Sequence, residues 1–502
     1  MVTLLLIGAI VVPLIGVPVV FLSSSLLKEK TGYVASALSL ISLAALVAAG
    51  ASASSYLSGV YTESYSWSPI GTFGLRVDNL SLPILLTIAL MVTLIAMFSV
   101  PYMRQRIGDN PRRYGLYYGL YMLYSLGMLG TVLATNLIEF YLFFEIMLVP
   151  SFFLIAEWGY GERDKISLAY FIWTHVGALV LLVGILVTGF LTGSTDMDSV
   201  VNNLATNPSL ISSTVRLAVV GAMCFGLFVK IAQFGLHAWL PAAYAEAPTP
   251  ISALLSSAMT GIGGYAIVRI VMTIYPSAFQ TLSPIFAGWA LVTMFYGSAM
   301  ALVQDDVKRL LAYSSMSQMG YILFGLATFT SFGVSGSMFQ YISNATAKGI
   351  LFIVVGAIML QFRGERSMSK MGGLAGKMPI TATAAFIGSL ALMGFPTTNG
   401  FFSEFLLFQG GFIRATSPFS DYRIIVAALG VVATAFTAGY SLLALRKIFF
   451  GPVSEDSESV KEAPWTITVP LMVLAIVTIA LGIYPTPIIS RFVTFGQTIV
   501  GG

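Results

Sequence analysis

The stretch GLFVKIAQFGLHAWLPAAYAEAPTP, residues 226–250, places a lysine inside an apolar run and then interrupts that run. Lys230 is flanked by apolar residues, and Gly235 and Pro241 follow it closely. Glycine and proline both weaken the hydrogen-bond ladder of a helix. The stretch therefore predicts a membrane helix that comes apart beside a buried charge.

The composition of the chain predicts a multi-pass membrane protein. Of its 502 residues, 57% are hydrophobic and 9% are charged, whereas soluble domains carry about 25% charged residues. Apolar runs close to the roughly 20 residues that a helix needs to cross a bilayer recur along the chain. The N-terminus lacks the basic segment of a cleaved signal peptide, so we expect it to form the first span.

Several classes of function are disfavoured by what the sequence lacks. Cys224 is the one cysteine, and the two histidines, His175 and His237, are too dispersed for an obvious metal site. There is no Walker loop, no dinucleotide-binding glycine motif and no nucleophile elbow. We therefore expect no metal, no cofactor in this chain and no nucleic-acid partner.

The apolar runs predict an all-α protein with about 14 transmembrane helices. The predicted spans are 2–23, 32–57, 79–101, 114–135, 136–156, 166–192, 215–236, 249–275, 282–303, 308–329, 334–361, 379–411, 422–449 and 466–490. The stretches around 59–79 and 194–213 are predicted to be short loops. No loop is long enough to form a soluble domain.

The positive residues predict the orientation. Loops after odd-numbered helices hold 17 lysines and arginines, and loops after even-numbered helices, with the C-terminal tail, hold 6. Since positive residues accumulate in cytoplasmic loops, we expect the odd loops in the cytoplasm and both termini outside it. The protein would then lie in a cell membrane or an inner membrane.

Four ionisable residues lie deep inside predicted helices: Glu145, Lys230, Lys348 and Glu404. Each charge near the bilayer centre costs about 2.5–3.5 kcal/mol on insertion scales. One interpretation is that two acids and two bases form salt bridges that fix helix packing. The other is a proton relay, and it is favoured because a buried lysine can lose its proton whereas an arginine stays charged.

A second predicted helix is interrupted beside such a charge. In MGFPTTNGFFSE, residues 393–404, Gly394, Pro396 and Gly400 precede Glu404. Interrupted helices 7 and 12, five apart in the count, are typical of a transporter built from an internal repeat. The plainer alternative is that proline and glycine are common in membrane helices.

Three other ionisable residues are secondary candidates. His237 lies in the first interruption, where it fits a relay and a helix cap equally well. His175 fits a hydrogen-bonded packing residue better than a relay. Glu139 is expected near the outer surface, less perturbed than Glu145.

Four segments of the chain resemble the antiporter-like subunits of respiratory complex I. They are LFFEIMLVP (142–150), VKIAQFGLHAWLPAAYAEAPTPISALL (229–255), VQDDVKRLLAYSSMSQMGYILFGL (303–326) and the segment around Glu404. The chain looks most like the M-type subunit, NADH dehydrogenase chain 4. The same family supplies subunits of Mrp cation/proton antiporters and of membrane-bound energy-converting hydrogenases and related ferredoxin-linked complexes. The resemblance covers roughly residues 70–450.

The resemblance implies two inverted five-helix repeats, helices 4–8 and 9–13, each with a broken helix, 7 or 12. The implied organisation is 1–113 for helices 1–3, 114–275 for the first repeat, 276–450 for the second, and 451–502 for a linker and helix 14. The resemblance also implies that Glu145 and Lys230 form a pair on helices 5 and 7. Lys348 and Glu404 would continue the relay.

The chain departs from the family pattern in the middle of that relay. The family usually has a lysine or histidine on helix 8, where this chain has Gly261 and Ser256. Asn344 and Gln318 stand at two positions where relatives often have histidine. Either water held by Ser256, Ser257 and Thr260 bridges Lys230 and Lys348, or the relay is weak.

The function implied by the resemblance is proton translocation, coupled to redox chemistry in partner subunits that carry iron–sulfur clusters in a peripheral arm. Further antiporter-like subunits of the membrane arm would also be partners. The alternatives are a sodium/proton antiporter, either an Mrp-type subunit or a stand-alone transporter, and an inert membrane spacer. No catalytic redox site is expected in this chain.

Overall fold

The computed structural model describes residues 4–55, 59–68, 70–362, 364–416, 419–452 and 459–501. The helices are α1 Leu5–Leu27, α2 Thr31–Ser55, α3 Ser81–Ile107, α4 Pro111–Leu133, α5 Leu137–Trp158, α6 Arg163–Thr192, α7 Met197–Thr206, α8 Ser213–Lys230, α9 Trp239–Glu246, α10 Thr249–Leu254, α11 Ile262–Ala266, α12 Pro276–Leu302, α13 Val307–Ala327, α14 Ser331–Gln361, α15 Pro379–Leu392, α16 Asn399–Thr416, α17 Asp421–Phe449, α18 Trp465–Ile483 and α19 Thr486–Val500. Two strands, β1 Tyr61–Trp67 and β2 Gly71–Val77, form an antiparallel hairpin.

Within these residues, eleven helical segments are long and apolar enough to cross a membrane, with α1 and α2 counted as one segment. Separating α1 from α2 at the turn Lys28–Lys30, and adding α13 and the broken pair α15–α16, gives 14 crossings. The predicted helical membrane fold is confirmed. Residues 2–3 and 56–57 of the first two predicted helices, and 453–458 of the predicted linker, lie outside the described residues.

The two predicted interruptions are real chain breaks. After α8 ends at Lys230, Ala232 and Gly235 adopt φ angles of +49° and +84° before α9 begins. Between α15 and α16, Gly394 and Thr397 have φ angles of +65° and +78°. Since this left-handed region cannot continue a right-handed helix, each crossing is split in two.

The crossing formed by α10 and α11 has a different irregularity. The chain is π-helical over Leu255–Met259 and again over Ile267–Met272. A π turn widens the helix and often occurs at functional sites. This crossing is buried along its whole length, next to α14, whose residues from Gly333 to Met359 are also buried. The core of the molecule lies along these two crossings.

Two junctions have matching geometry. An isolated β-bridge joins Asn136 to Asp196, and another joins Asp306 to Ser367. Asn136 and Asp306 each cap the helix that follows, α5 or α13, with a side-chain oxygen. An odd number of crossings separates the two junctions, so they lie at opposite membrane faces. This fits two inverted repeats, although the boundaries at residues 113, 275 and 450 stay a prediction.

Three elements differ from the sequence prediction. The predicted loop at 59–79 contains the β1–β2 hairpin, and the predicted loop at 194–213 contains α7. The predicted helix 466–490 ends at Ile483, and the amphipathic α19 begins after Pro485. These elements follow polar or proline-containing segments that hydropathy alone does not assign.

Candidate ion-translocation site

Lys230 is the last residue of α8, at the point where the helix ends. A cation is favourable there because the C-terminal end of a helix carries partial negative charge. Its side chain is 2% exposed, and the ammonium lies 4.8 Å from the centre of the Phe144 ring. Across the break, Trp239 Nε1 donates to the carbonyl of Val229 at 2.9 Å, so α9 satisfies a carbonyl that the break sets free.

Glu145, in the middle of α5, is held by a residue of the next helix. Its Oε2 lies 2.9 Å from Nδ1 of His175, and the His175 ring stacks on Phe171. Its Oε1 is buried and has no hydrogen-bond partner among the described residues. His175 is therefore a hydrogen-bonded residue in direct contact with the predicted relay acid.

The expected pair of Glu145 and Lys230 is not a direct contact. Within the described part of the chain, no ion pair joins the two side chains, although Glu145 still acts on Lys230 through its charge. The ammonium of Lys230 lies over Phe144, and neighbouring residues of a helix point in different directions. The carboxylate of Glu145 therefore faces α6, and the lysine lies to one side.

Lys348 lies deep in α14 and is fully buried. Its Nζ donates to the carbonyl of Leu311 at 3.1 Å and to the hydroxyl of Ser314, both on α13. Among the described residues no carboxylate forms an ion pair with Lys348. A buried ammonium with only neutral partners is costly to keep charged. Its surroundings suit a group that gains and loses a proton.

Glu404 lies in α16, just beyond the second break. Its carboxyl group packs against Gly394, where an added Cβ would come within 2.8 Å of the carboxyl carbon. Its buried Oε1 has no partner among the described residues. Asn399 ties this break to α14, accepting a hydrogen bond from Ser343 at 3.1 Å and donating to Thr346 at 3.0 Å.

Hydroxyl groups occupy the region of α10–α11 where the family resemblance implies a titratable residue. The Oγ atoms of Ser256 and Ser315 are 2.8 Å apart, and Asn344 Nδ2 donates to the Ser256 carbonyl at 3.4 Å. Ser257 Oγ and Asn344 Oδ1 are buried and lack partners among the described residues. Since buried polar atoms normally have a hydrogen-bond partner, these two suit bound water.

Thr260 and Gln318 extend this polar region on either side. Thr260 donates to the Leu255 carbonyl at 2.8 Å and contacts the hydroxyl of Tyr244. Gln318 forms a hydrogen bond with Gln340 of α14. At Gly261, the second departure from the family pattern, an added Cβ would meet the Tyr341 ring, so this position has no room for a lysine.

The structure places the two remaining candidates differently from each other. His237 lies in the first break, where its Nδ1 accepts a hydrogen bond from the Gly235 N–H at 3.1 Å, as a cap does. Glu139 is only 1% exposed and accepts a hydrogen bond from the Gly74 N–H at 3.1 Å. The sequence prediction placed Glu139 near the outer surface and did not include this burial, which comes from its contact with strand β2.

A charged cluster at the end of α9 was not predicted from the sequence. The Arg366 guanidinium contacts Glu246 at 3.3 Å and Asp306 at 3.1 Å. Lys308 is fully buried, and its Nζ donates to the Ala247 carbonyl at 2.5 Å. Both cations lie at the C-terminal end of α9, where they complement the helix dipole. The sequence signal was present, but these cations were counted only as loop residues.

Buried charges beside two broken helices, among 14 crossings in the described part of the chain, are typical of an antiporter-like membrane protein. The chain matches the family described as NADH:quinone oxidoreductase/Mrp antiporter, TM, over residues 134–437. Residues 67–114 match the N-terminal family of complex I chain 5. The chain belongs to the NADH:quinone oxidoreductase/Mrp antiporter family, and the predicted resemblance is confirmed.

The alignments with several relatives cover most of the chain. F(420)H(2) dehydrogenase subunit M of Methanosarcina mazei is 32% identical over 453 residues, which is 88% of this chain and 87% of the relative. NADH-quinone oxidoreductase subunit M of Pseudomonas aeruginosa is 31% identical over 431 residues, 83% and 80% of the two chains. These are subunits of complex I-type enzymes, so a complex I-type subunit is favoured over the Mrp alternative.

Solved structures have the same fold. A chain of respiratory complex I from Thermus thermophilus has a TM-score of 0.86 and 22% identity, covering 99% of this chain and all of that one. A chain of the membrane-bound sulfane sulfur reductase, an archaeal respiratory membrane complex, has a TM-score of 0.84 and 26% identity, and the match covers 96% of this chain and 76% of that one. A chain of the Mrp complex from Dietzia sp. has a TM-score of 0.80 and 22% identity, and the match covers 98% of each chain. All three structures are of multi-subunit membrane complexes.

Proposed function

We propose that this chain translocates protons as one membrane-arm subunit of a redox-driven complex of the complex I type. The observation that carries the proposal is the set of four buried or half-buried ionisable residues inside the crossings, Glu145, Lys230, Lys348 and Glu404. Lys230 and Glu404 lie at or next to the two helix breaks, and Glu145 and Lys348 have polar partners. Isolated charges are expensive inside a membrane and usually mark ion pathways.

The route begins on the cytoplasmic side, near α9 and α10. A proton reaches Lys230 and passes sideways through the hydroxyl region of Ser256, Ser257 and Thr260. Hydroxyl groups and water each donate and accept hydrogen bonds, so they transfer protons without titrating themselves. Asn344, with its unpartnered Oδ1, lies on the far side of this region and would hold bridging water.

The route ends at Lys348 and Glu404. Lys348 receives the proton, and its ammonium then donates to the Leu311 carbonyl and the Ser314 hydroxyl. Glu404 receives the proton beside the α15–α16 break, where the freed backbone gives water a path to the outer face. This orientation puts both termini outside the cytoplasm, as the positive residues predict.

Coupling to redox chemistry would act through Glu145. In the present state its carboxylate contacts His175, and Lys230 lies at longer range. A change of charge in a neighbouring subunit that moves this carboxylate towards Lys230 would hold the proton on the lysine. The reverse movement would release it. His175 is then the residue that holds Glu145 away from the lysine.

Electron transfer belongs to partner subunits in this proposal. Redox subunits with iron–sulfur clusters in a peripheral arm would oxidise the donor, and other antiporter-like subunits would lie beside this one in the membrane. No cofactor is assigned to this chain. The transported ion is proposed to be the proton, and sodium is the alternative to be tested at the Glu404 carboxylate.

The experiment is ion pumping by the purified assembly in inside-out vesicles, energised with NADH or with reduced coenzyme F420, the donors in the relatives' names. Lys230→Ala and Glu404→Ala are compared with Lys165→Ala, which removes an exposed lysine. We expect pumping to fail in the first two variants and to persist in the third, with assembly intact. Normal pumping in both relay variants would contradict the proposal, and sodium uptake without proton uptake would assign the other ion.

A further inference from the structure

A cavity opens at the shared end of α3, α5 and α14. It has a volume of about 370 Å³ and is lined by Tyr102, Arg106, Tyr160, Leu360 and Gly364, among others. Counted as membrane crossings, α3, α5 and α14 are the third, fifth and eleventh. The C-terminal ends of odd-numbered crossings are predicted to face the cytoplasm, so the cavity lies on that face. The cavity is separate from the four relay residues, none of which lines it.

Three hydroxyl groups lead from this cavity into the protein. The hydroxyl of Tyr160 forms a hydrogen bond with that of Tyr102, and the Tyr102 hydroxyl lies 2.8 Å from Thr249 Oγ1. Tyr160 is partly exposed, Tyr102 is 2% exposed and Thr249 is fully buried. The chain of hydroxyls therefore runs from water to the buried first turn of α10.

The outer member of this chain is held firmly in place. The guanidinium of Arg106 lies 4.0 Å from the centre of the Tyr160 ring and donates to the carbonyls of Trp158 and Gly159, both at 2.6 Å. The Tyr160 N–H donates to the Glu246 carbonyl at 2.7 Å. These contacts hold the Tyr160 side chain at the mouth of the cavity.

The inner member of the chain, Thr249, donates its hydroxyl to the Met359 sulfur at 3.5 Å, and further polar groups follow along the same crossing. Ser252 lies one turn further along α10 than Thr249, and its hydroxyl donates to the Tyr244 carbonyl at 2.7 Å. The Tyr244 hydroxyl in turn donates to the Leu255 carbonyl at 2.9 Å and contacts Thr260. Polar groups therefore recur along the same crossing from the cavity to Thr260 in the hydroxyl region.

We propose that Tyr160, Tyr102 and Thr249 form the port through which protons enter from the cytoplasmic face, an inference that rests on the proposed function. A proton from cavity water binds the Tyr160 oxygen as the Tyr160 proton moves to Tyr102. The Tyr102 proton moves to Thr249, and the Thr249 hydroxyl breaks its hydrogen bond with the Met359 sulfur and passes its own proton to a water molecule that enters beside Ser252. Each hydroxyl gains one proton and loses one, so no net charge stays on the chain.

The test uses Tyr102→Phe and Tyr160→Phe, which remove one hydroxyl each and keep the rings. Tyr118→Phe is the matched control, since Tyr118 is equally buried and its hydroxyl bonds to Ser99 at 2.9 Å, away from the cavity. We expect proton uptake per electron to fall about tenfold in the first two variants. This loss is smaller than the usual hundredfold or more (about 10²–10⁴) for a positioned proton-transfer group, because water can partly replace the missing hydroxyl. The control should pump normally.

Lys230→Ala, measured in the same vesicles, separates the two proposals. Pumping that is lost in Lys230→Ala but normal in Tyr102→Phe and Tyr160→Phe overturns the port and leaves the relay. Pumping that survives in Lys230→Ala overturns both, and equal losses in all three tyrosine variants overturn the port. If the tyrosine variants do not assemble, the test uses Leu360→Trp, which fills the cavity and leaves the hydroxyls in place. We expect this variant to slow proton uptake, and normal uptake overturns the port.

Discussion

Oε2 of Glu145 lies 2.9 Å from Nδ1 of His175, and the ammonium of Lys230 lies over the Phe144 ring beside them. The acid that the sequence pairs with the lysine is therefore held by a histidine of the next helix. The Glu145 carboxylate has His175 as its partner in contact, and Lys230 lies within range of its charge. In the proposed coupling, the carboxylate has a second state facing Lys230, and a neighbouring charge shifts the population between the two states.

The first prediction concerns His175. In His175→Ala, Glu145 loses its one hydrogen bond, which for a charged group is worth about 1.5–3 kcal/mol. We expect the carboxylate to turn towards Lys230, and proton pumping to fall about tenfold, while the donor is still oxidised. His175→Asn, whose amide keeps a donor near the Nδ1 position, should pump better than His175→Ala. Equal, normal pumping in both variants would show that His175 only packs.

A second prediction concerns Gly394 and uses no change of charge. Gly394 has a φ of +65°, and an added Cβ would push against the Glu404 carboxyl group. Gly394→Ala should displace Glu404 and reduce pumping, with a backbone cost of about 1–2 kcal/mol. The control is Gly376→Ala, where an added Cβ meets nothing within 4 Å. If Gly394→Ala pumps as well as Gly376→Ala, the position of Glu404 does not matter.

The third prediction concerns the buried pair of Asp78 and Arg269, 2.7 Å apart. Burial alone would raise the pKa of Asp78, but the charge of Arg269 and a hydrogen bond with Ser81 outweigh burial and hold it below its usual value. A lowered pKa means that the ionised Asp78 stabilises the fold above the unfolded value of about 3.9 and that this contribution is lost as the pH falls through the lowered pKa.

Asp78→Asn should therefore destabilise the protein by about 3 kcal/mol at pH 7, because it leaves Arg269 buried without its counter-charge. The difference from wild type should shrink as the pH falls below about 3.9 and through the lowered pKa of Asp78, where Asp78 itself becomes neutral. Thermal unfolding of the detergent-solubilised protein at pH 7 and at a series of acidic pH values measures this. A difference that stays constant with pH would mean that the charge of Asp78 contributes nothing.

The fourth prediction concerns Asp306, which has two roles. Its side chain caps α13, accepting the N–H of Lys308 at 2.8 Å, and pairs with Arg366 at 3.1 Å. Asp306→Ala should lower the free energy of unfolding by about 1–2 kcal/mol, the usual value of a cap. Asp306→Asn keeps the cap and should cost less. Thermal unfolding measures these changes, and Asp109→Ala, at a fully exposed side chain, is the control. Equal effects of Asp306→Ala, Asp306→Asn and Asp109→Ala would exclude the cap.

Much of the fold could be predicted because the bilayer imposes it. Apolar length gave the crossings, and the left-handed Gly235 and Gly394 lie in the breaks that the sequence predicts. The β1–β2 hairpin could not be predicted in the same way, because it lies outside the apolar runs. Its alternation in YTESYSW, with Tyr61 and Glu63 buried, is a short and weak signal.

The site was harder to predict than the fold. The sequence shows that Glu145, Lys230, Lys348 and Glu404 are charges in apolar surroundings, and each of them is buried or half-buried. It does not show which partners face them, since the contact between Glu145 and His175 depends on how α5 packs on α6. Lys308 was missed because a cation at a helix start resembles an ordinary loop residue until α9 is seen to end against it.

The most direct test of the central claim is proton pumping by Lys230→Arg and Lys348→Arg in the assembled complex. Arginine keeps the positive charge but cannot release its proton in a protein. A relay predicts that both variants stop pumping, as alanine variants do, while the exposed control Lys165→Arg pumps normally. Normal pumping by both arginine variants would contradict the relay and show that these lysines act only as fixed charges.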